Sequence, residues 1–221
     1  MRVDEWVRTA ERRLASAGVE SSRLEAQMLA AHVLGVERSW LLAHPEAEVN
    51  DLAGEVLLQR RESHEPLAYI LGWREFYGRR FRVTPAALIP RQETEMLVDA
   101  VCELAPVPGS RVLDLGTGSG CIAISVKLER PDLILTASDV SPGALEVAEW
   151  NATELEASVE LVLSDGFQAL QGRVFDVIVS NPPYVALDEA LPRDVVEWEP
   201  RQALFAGHTG LEFYKLSLIH I

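Results

Sequence analysis

The stretch RVLDLGTGSG, Arg111 to Gly120, runs from branched apolar residues into three glycines spaced two apart. RVLDLG reads as a buried strand, and GCIAISVKLE (Gly120 to Glu129) reads as a helix directly after it. Gly116, Gly118 and Gly120 remove side chains where backbone must bend sharply and approach a ligand closely. The helix behind them directs free N–H groups and a positive dipole end at the loop. The spacing is G-x-G-x-G, not the G-x-G-x-x-G of the dinucleotide fingerprint, so alone it also fits a tight structural turn.

Downstream the same alternation continues. LILTASD is a second strand, PGALEVAEWNA a helix, VELVLSD a third strand and VFDVIVSNPPY a fourth. Alternating strands and helices imply a parallel sheet covered on both faces, with ligands bound beyond the carboxyl ends of its strands. Each unusual motif falls at such an end. Asp139 offers two acceptor oxygens, suited to a pair of ribose hydroxyls, although Asp139 or Ser141 would equally serve as the N-cap of the next helix. In LSDGF, Asp165 can accept from an exocyclic amine and Phe167 can pack on a ring, or both can be turn chemistry. Asn181-Pro182-Pro183-Tyr184 ends the fourth strand, because two prolines cannot donate to a ladder. The stiff pair holds the Asn181 amide and the Pro182 carbonyl in a set orientation. Both oxygens can accept from one –NH₂ group, and Tyr184 adds a flat face. The motif suits a neutral planar nitrogen better than a phosphate or carboxylate.

Upstream, the first seventy residues read as helices. Val3, Trp6, Val7, Ala10 and Leu14 keep three-and-four spacing, with Gly18 as the stop. SSRLEAQMLAAHVLG carries a Ser22–Glu25 capping-box signature and closes at Gly35. A third helix is expected from about Asn50 to before Pro66. LAYILGWREFYGRRFRV reads as two short strands joined near Gly72 to Gly78, a hairpin between domains. The expected boundaries are a helical substrate-recognition domain at 1–70, a hairpin linker at 71–84 and a catalytic domain at 85–221.

Composition narrows the class. The 221 residues are 48% hydrophobic and 24% charged, ordinary for a globular protein. No window approaches eighteen uncharged apolar residues and the N-terminus lacks a signal-peptide core, so a cytoplasmic location without membrane partners is expected. Cys102 and Cys121 are not metal-spaced. His32, His44 and His64 are scattered too, so neither a disulfide framework nor a metal site is expected. A net charge of −14 argues against gripping long nucleic acid; Arg74, Arg79, Arg80 and Arg82 form the one candidate basic patch, which also fits a solvated hairpin face.

Strand order, DLGTGSG, Asp139 and NPPY together resemble the class I S-adenosylmethionine-dependent methyltransferases that act on planar nitrogens. VTPAALIPRQETE (Val83 to Glu95) and the helical N-terminal domain narrow this to the bacterial release-factor glutamine methyltransferases. That resemblance runs from about Trp6 through GLEFYK (Gly210 to Lys215), including Glu199, Pro200, Ala203 and Leu204. It implies a Rossmann-like domain with a parallel central sheet, behind a small all-helical domain and a β-hairpin. It further implies transfer of a methyl group from S-adenosylmethionine to the glutamine of the Gly-Gly-Gln motif of peptide chain release factors. Carried over by position, Gly116, Thr117, Gly118, Ser119 and Gly120 would hold the methionine and ribose portion of the cofactor. Asp139 would take the ribose hydroxyls, and Gly166 and Phe167 would flank adenine. Asn181, Pro182, Pro183 and Tyr184 would bind the substrate glutamine, with Asn181, Pro182 and Tyr184 as the catalytic set and Asn181 also touching the cofactor. Pro90, Arg91, Glu93 and Thr94 would lie over the cofactor pocket, with an ordinary salt bridge as the other reading of Arg91.

The sequence departs from the family at Gly166, where relatives carry a bulky residue, and at Gln92, where they carry proline. Relatives also continue for several tens of residues past GLEFYK. The chain is therefore expected to be a shortened form ending in non-native LSLIHI, lacking the last strands and leaving the strand before NPPY at an edge. His220 is assigned no role. Because NPPY alone also occurs in DNA adenine and ribosomal RNA guanine methyltransferases, N6-adenine or RNA base methylation is the rival activity. A catalytically inert cofactor-binding fragment is the other.

Overall fold

The computed structural model describes residues 1–213. Tyr214, Lys215 and the LSLIHI segment with His220 lie outside the described residues. The chain divides into two compact units, Met1–Leu71 and a second that begins at Gly72.

The first unit is helical: α1 (Val3–Ser16), α2 (Ser22–Leu34), α3 (Arg38–Ala43), α4 (Asp51–Glu62) and α5 (Leu67–Leu71). Val3, Trp6, Val7, Ala10 and Leu14 all bury their side chains, as their spacing requires. α2 ends on Gly35 in the left-handed conformation, and Asn50 caps α4 by accepting from Leu52 N and Ala53 N. Gly54 is needed because an added Cβ would stand 2.8 Å from the Trp6 indole.

Three expectations need correction. The Ser22–Glu25 capping box does not form, and no side chain caps α2. Glu25 instead meets Arg61 at 2.5 Å, in an ion pair whose arginine side chain is only 8% exposed. LAYIL is helix α5, not the start of a strand. Tyr69 N and Ile70 N donate to the Pro66 carbonyl, and a five-residue apolar run carries no period that separates helix from strand. α3 was not anticipated either, since six residues are too few to show a stripe.

The second unit opens with β1 (Trp73–Phe76) and β2 (Arg79–Arg82), paired antiparallel. Tyr77 and Gly78 both take positive φ, the requirement of a two-residue hairpin turn that matches strand twist. Phe76 and Phe81 are buried at 1% and 0% exposure and meet edge to face at 5.9 Å. They join Val98, Val112, Ile122, Val126 and Leu135 in one core, so the hairpin is built into this unit.

Then follow α6 (Glu95–Leu104), β3 (Arg111–Leu115), α7 (Cys121–Glu129), β4 (Ile134–Asp139), α8 (Pro142–Glu154), β5 (Glu160–Leu163), β6 (Val177–Val179), α9 (Arg193–Trp198) and α10 (Arg201–Leu204). The four later strands form a parallel sheet in the order β5-β4-β3-β6, and among the described residues β6 is an edge. Val112, Leu113, Leu135 and Ala137 are almost wholly buried, as expected of a sheet covered on both faces. The strands end at Leu115, Asp139, Leu163 and Val179. All four candidate loops therefore emerge at one edge of the sheet.

Candidate active site

Beyond these carboxyl ends lies a cavity of about 250 Å³. Its floor is the loop after β3. Gly116, Gly118 and Gly120 have φ of 75°, 58° and 82°, a region open to glycine at little cost. A Cβ on Gly116 or Gly118 would meet no heavy atom within 4 Å, so these two positions face open space above bare backbone. Gly116 to Ser119 line the cavity. Gly120 serves packing instead: a Cβ there would stand 2.8 Å from Ile124 Cδ1 and 3.1 Å from Ala148 Cβ.

The loop is held from beneath by Asp114, which is fully buried. Its Oδ2 accepts from Thr117 Oγ1 at 2.6 Å and Ala123 N at 3.2 Å, while Oδ1 has no partner. Burial pushes this carboxyl up to about 6, against the stabilising bonds from Thr117 and Ala123. From above, Asn151 on α8 donates to the Ser119 carbonyl at 2.9 Å. The same carboxamide exchanges two bonds with the backbone of Arg82, so one buried side chain ties the hairpin to the glycine loop.

The two readings of Asp139 are separated by geometry. Ser141 caps α8, accepting from Ala144 N at 3.2 Å. Asp139 accepts from Gly118 N and from Ser141 N, each at 2.9 Å. Each oxygen keeps a free lone-pair direction, and Asp139 lines the cavity. Ser164, Asp165 and Gly166 line it as well, and Gly166 adopts φ 54° with open space where a Cβ would sit. Phe167 is not in this wall. It packs with Leu113, Leu115 and Leu170, because the turn at Gly166 carries the ring toward that cluster.

The NPPY segment forms another wall. Asn181 and Pro183 line the cavity, Pro182 is buried, and the Tyr184 ring lies 61% exposed outside it. Ser180 Oγ donates to the Leu115 carbonyl at 2.6 Å, so the end of β6 is fastened to the end of β3. Beyond Tyr184, Val185 N donates to the Leu204 carbonyl, and Ala206 N to the Val185 carbonyl, each at 3.0 Å. Gly210 packs so tightly there that a Cβ would collide with the Tyr184 carbonyl oxygen.

The roof is a strap, residues 86–91 with Thr94. Pro90, Arg91 and Thr94 line the cavity; Glu93 does not. Arg91 pairs with Glu199, a carboxylate 1% exposed that also accepts from Ile89 N at 3.1 Å. Glu199 thus joins the strap to the segment whose Pro200, Gln202 and Ala203 line the cavity opposite. Sequence reasoning gave no role to Asn151, Ser180 or Glu199, because none lies in a local pattern that betrays a partner far along the chain.

The ionisable cavity residues are Arg91, Cys121, Asp139 and Asp165. Burial raises the Cys121 thiol to about 12, so it remains protonated and is no nucleophile near neutrality. Among the described residues no group of His, Cys, Asp and Glu is arranged to hold a metal, and no helix is long and apolar enough to cross a membrane.

A glycine-floored cavity across the carboxyl ends of a parallel sheet, with an acidic residue after the next strand and NPPY after β6, defines a class I methyltransferase domain. In agreement, residues 92–197 match the methyltransferase small domain, and residues 5–72 match the PrmC N-terminal domain. The chain belongs to the release factor glutamine methyltransferase family. It is 46% identical over 214 residues to the Koribacter versatilis release factor glutamine methyltransferase, covering 94% of this chain and 76% of that protein. The Bordetella pertussis relative of the same name is 48% identical over 195 residues, covering 86% of this chain and 72% of that protein. Among solved structures, the hMettl16 catalytic domain in complex with MAT2A 3'UTR hairpin 6 superposes with a TM-score of 0.51 at 21% identity. That match covers 78% of this chain and 64% of the other, and it speaks to fold alone.

The cofactor is S-adenosylmethionine, and the cavity suits it. The bare backbone at Gly116 and Gly118 leaves room for close approach, and Asp139 presents two acceptors beside it.

Proposed function

We propose that this protein methylates the side-chain amide nitrogen, N5, of the glutamine in the Gly-Gly-Gln motif of peptide chain release factors. One observation carries the reading: the Asn181 carboxamide opens on the same cavity as the glycine loop, at a strand end fastened to it. S-adenosylmethionine supplies an electrophilic methyl group on a sulfonium centre.

The remaining work belongs to this chain's residues. An amide nitrogen is a poor nucleophile because its lone pair is delocalised into the carbonyl. Asn181 Oδ1 and the Pro182 carbonyl accept from the two N–H bonds of the glutamine –NH₂ and fix its direction. They also favour positive charge building on that nitrogen, which then loses one N–H proton to give the neutral N-methyl amide. Pro183 stiffens the turn, and the exposed Tyr184 face receives the planar amide as it arrives from solvent. Gly116 to Ser119, Asp139, Gly166 and the strap hold the cofactor in register, and Gly120 supports them by packing on Ile124 and Ala148. Phe167 acts at one remove, packing under the Gly166 turn. The helical unit contributes substrate recognition, and the reaction takes place in the cytoplasm.

The test is transfer of labelled methyl groups to a recombinant release factor, beside a control whose motif glutamine is replaced. Label is expected on the first and none on the second; equal labelling of both defeats the proposed target. Asn181→Ala is expected to lower transfer about 100-fold or more while the cofactor affinity stays close to wild type. Unchanged transfer would remove Asn181 from the mechanism.

A further inference from the structure

We infer that Thr94 is the positioning residue that orients the Asn181 carboxamide. The inference rests on the role given to Asn181 above and adds to it what decides which end of the amide faces the substrate.

A carboxamide has one accepting end and one donating end of nearly the same shape. Only with Oδ1 toward the substrate can Asn181 accept from the glutamine –NH₂. The reversed amide would set donor against donor. Asn181 Nδ2 donates to Thr94 Oγ1 at 3.2 Å, across 87 residues of sequence. Nothing among the described residues donates to Asn181 Oδ1, so the accepting end is left for another molecule. Both residues line the same cavity, and Thr94 is buried.

Thr94 stands immediately before α6, where a threonine hydroxyl ordinarily caps the helix. Here it makes no cap bond, and the residue has helical backbone angles where a cap would be extended. Its hydroxyl is therefore turned away from local duty and toward Asn181. Thr94 N donates to the Arg91 carbonyl at 3.0 Å, and Arg91 pairs with Glu199, so the hydroxyl is carried on an anchored strap. A hydroxyl both accepts and donates, so Thr94 alone tolerates either amide orientation. With a substrate –NH₂ on the other side, only one orientation pairs every polar end, and it needs the Thr94 acceptor.

Thr94→Val removes the acceptor and keeps the shape; Thr94→Ser keeps the acceptor. The Val variant is expected to lower kcat for release factor methylation about 10- to 100-fold, a larger factor than any accompanying rise in the Kd for S-adenosylmethionine. The Ser variant is expected to recover most of kcat. In an Asn181→Ala background, Thr94→Val is expected to cost nothing further. If Asn181→Ala abolishes transfer while Thr94→Val leaves kcat unchanged, the inference on Thr94 fails and the role of Asn181 stands. If Asn181→Ala has no effect, the underlying reading fails first. A readout independent of turnover is solvent exchange of the Asn181 side-chain amide protons by NMR. Exchange should quicken in Thr94→Val but not in Thr94→Ser, and identical exchange in all three proteins overturns the inference.

Discussion

Asp114 is a fully buried carboxyl with one oxygen unpartnered, and replacing it with asparagine tests how the glycine loop is held. Burial lifts its pKa from 3.8 to about 6. Between these values the folded state binds more protons than the unfolded state, so stability falls as pH rises through the window from about 4 to about 6. The span is roughly two units, and at about 1.4 kcal/mol per unit the whole penalty is about 3 kcal/mol. About half of it accrues between pH ~5 and pH ~8. The substituted carboxamide would not titrate, and its oxygen can still accept from Ala123 N and Thr117 Oγ1. Its –NH₂ would replace the unpartnered oxygen with unpartnered donors, so the absolute change at one pH mixes two effects. The difference in slope is clean. Urea unfolding of both proteins, followed by circular dichroism across this range, should show wild type losing about 1.4 kcal/mol relative to Asp114→Asn as pH rises. Parallel curves, or a steeper fall in the variant, would refute the assignment of a strained buried carboxylate.

Gly120→Ala adds a Cβ at φ 82° against Ile124 and Ala148 and should cost about 1–3 kcal/mol, visible as a lower Tm together with weaker cofactor binding by calorimetry. Gly210→Ala drives a Cβ into the Tyr184 carbonyl, so methyl transfer should drop more than cofactor affinity; an equal loss in both would show that the brace does not act through NPPY. Arg61→Met strands Glu25 without its partner in the helical unit, and denaturant unfolding should find that unit weakened by about 3–5 kcal/mol with the cofactor Kd unchanged.

Much of the architecture was legible because it is written in local period. The change from three-and-four spacing in α1 to apolar runs at β3 and β4 separated a helical unit from a parallel α/β unit. Gly116, Gly118, Asp139 and Asn181 announced themselves because special backbone and strand ends demand special residue types. Short elements such as α3 and α5 were not legible, for they hold too few residues to display a period.

Tertiary packing decided what each marked residue does. Asp139 and Ser141 are two residues apart, and either suits an N-cap; the fold assigns the cap to Ser141 by bringing Gly118 N to Asp139. Gly166 and Phe167 are neighbours, yet one lines the cavity and the other packs beneath it, because a left-handed turn redirects the chain between them. Asn181 announces an acceptor, while its partner Thr94 lies 87 residues away. Glu199 reaches Ile89 across 110 residues. Local sequence sets backbone preference within a few residues. Such long-range partners exist only once the sheet and its helices have packed, so their roles belong to the folded molecule.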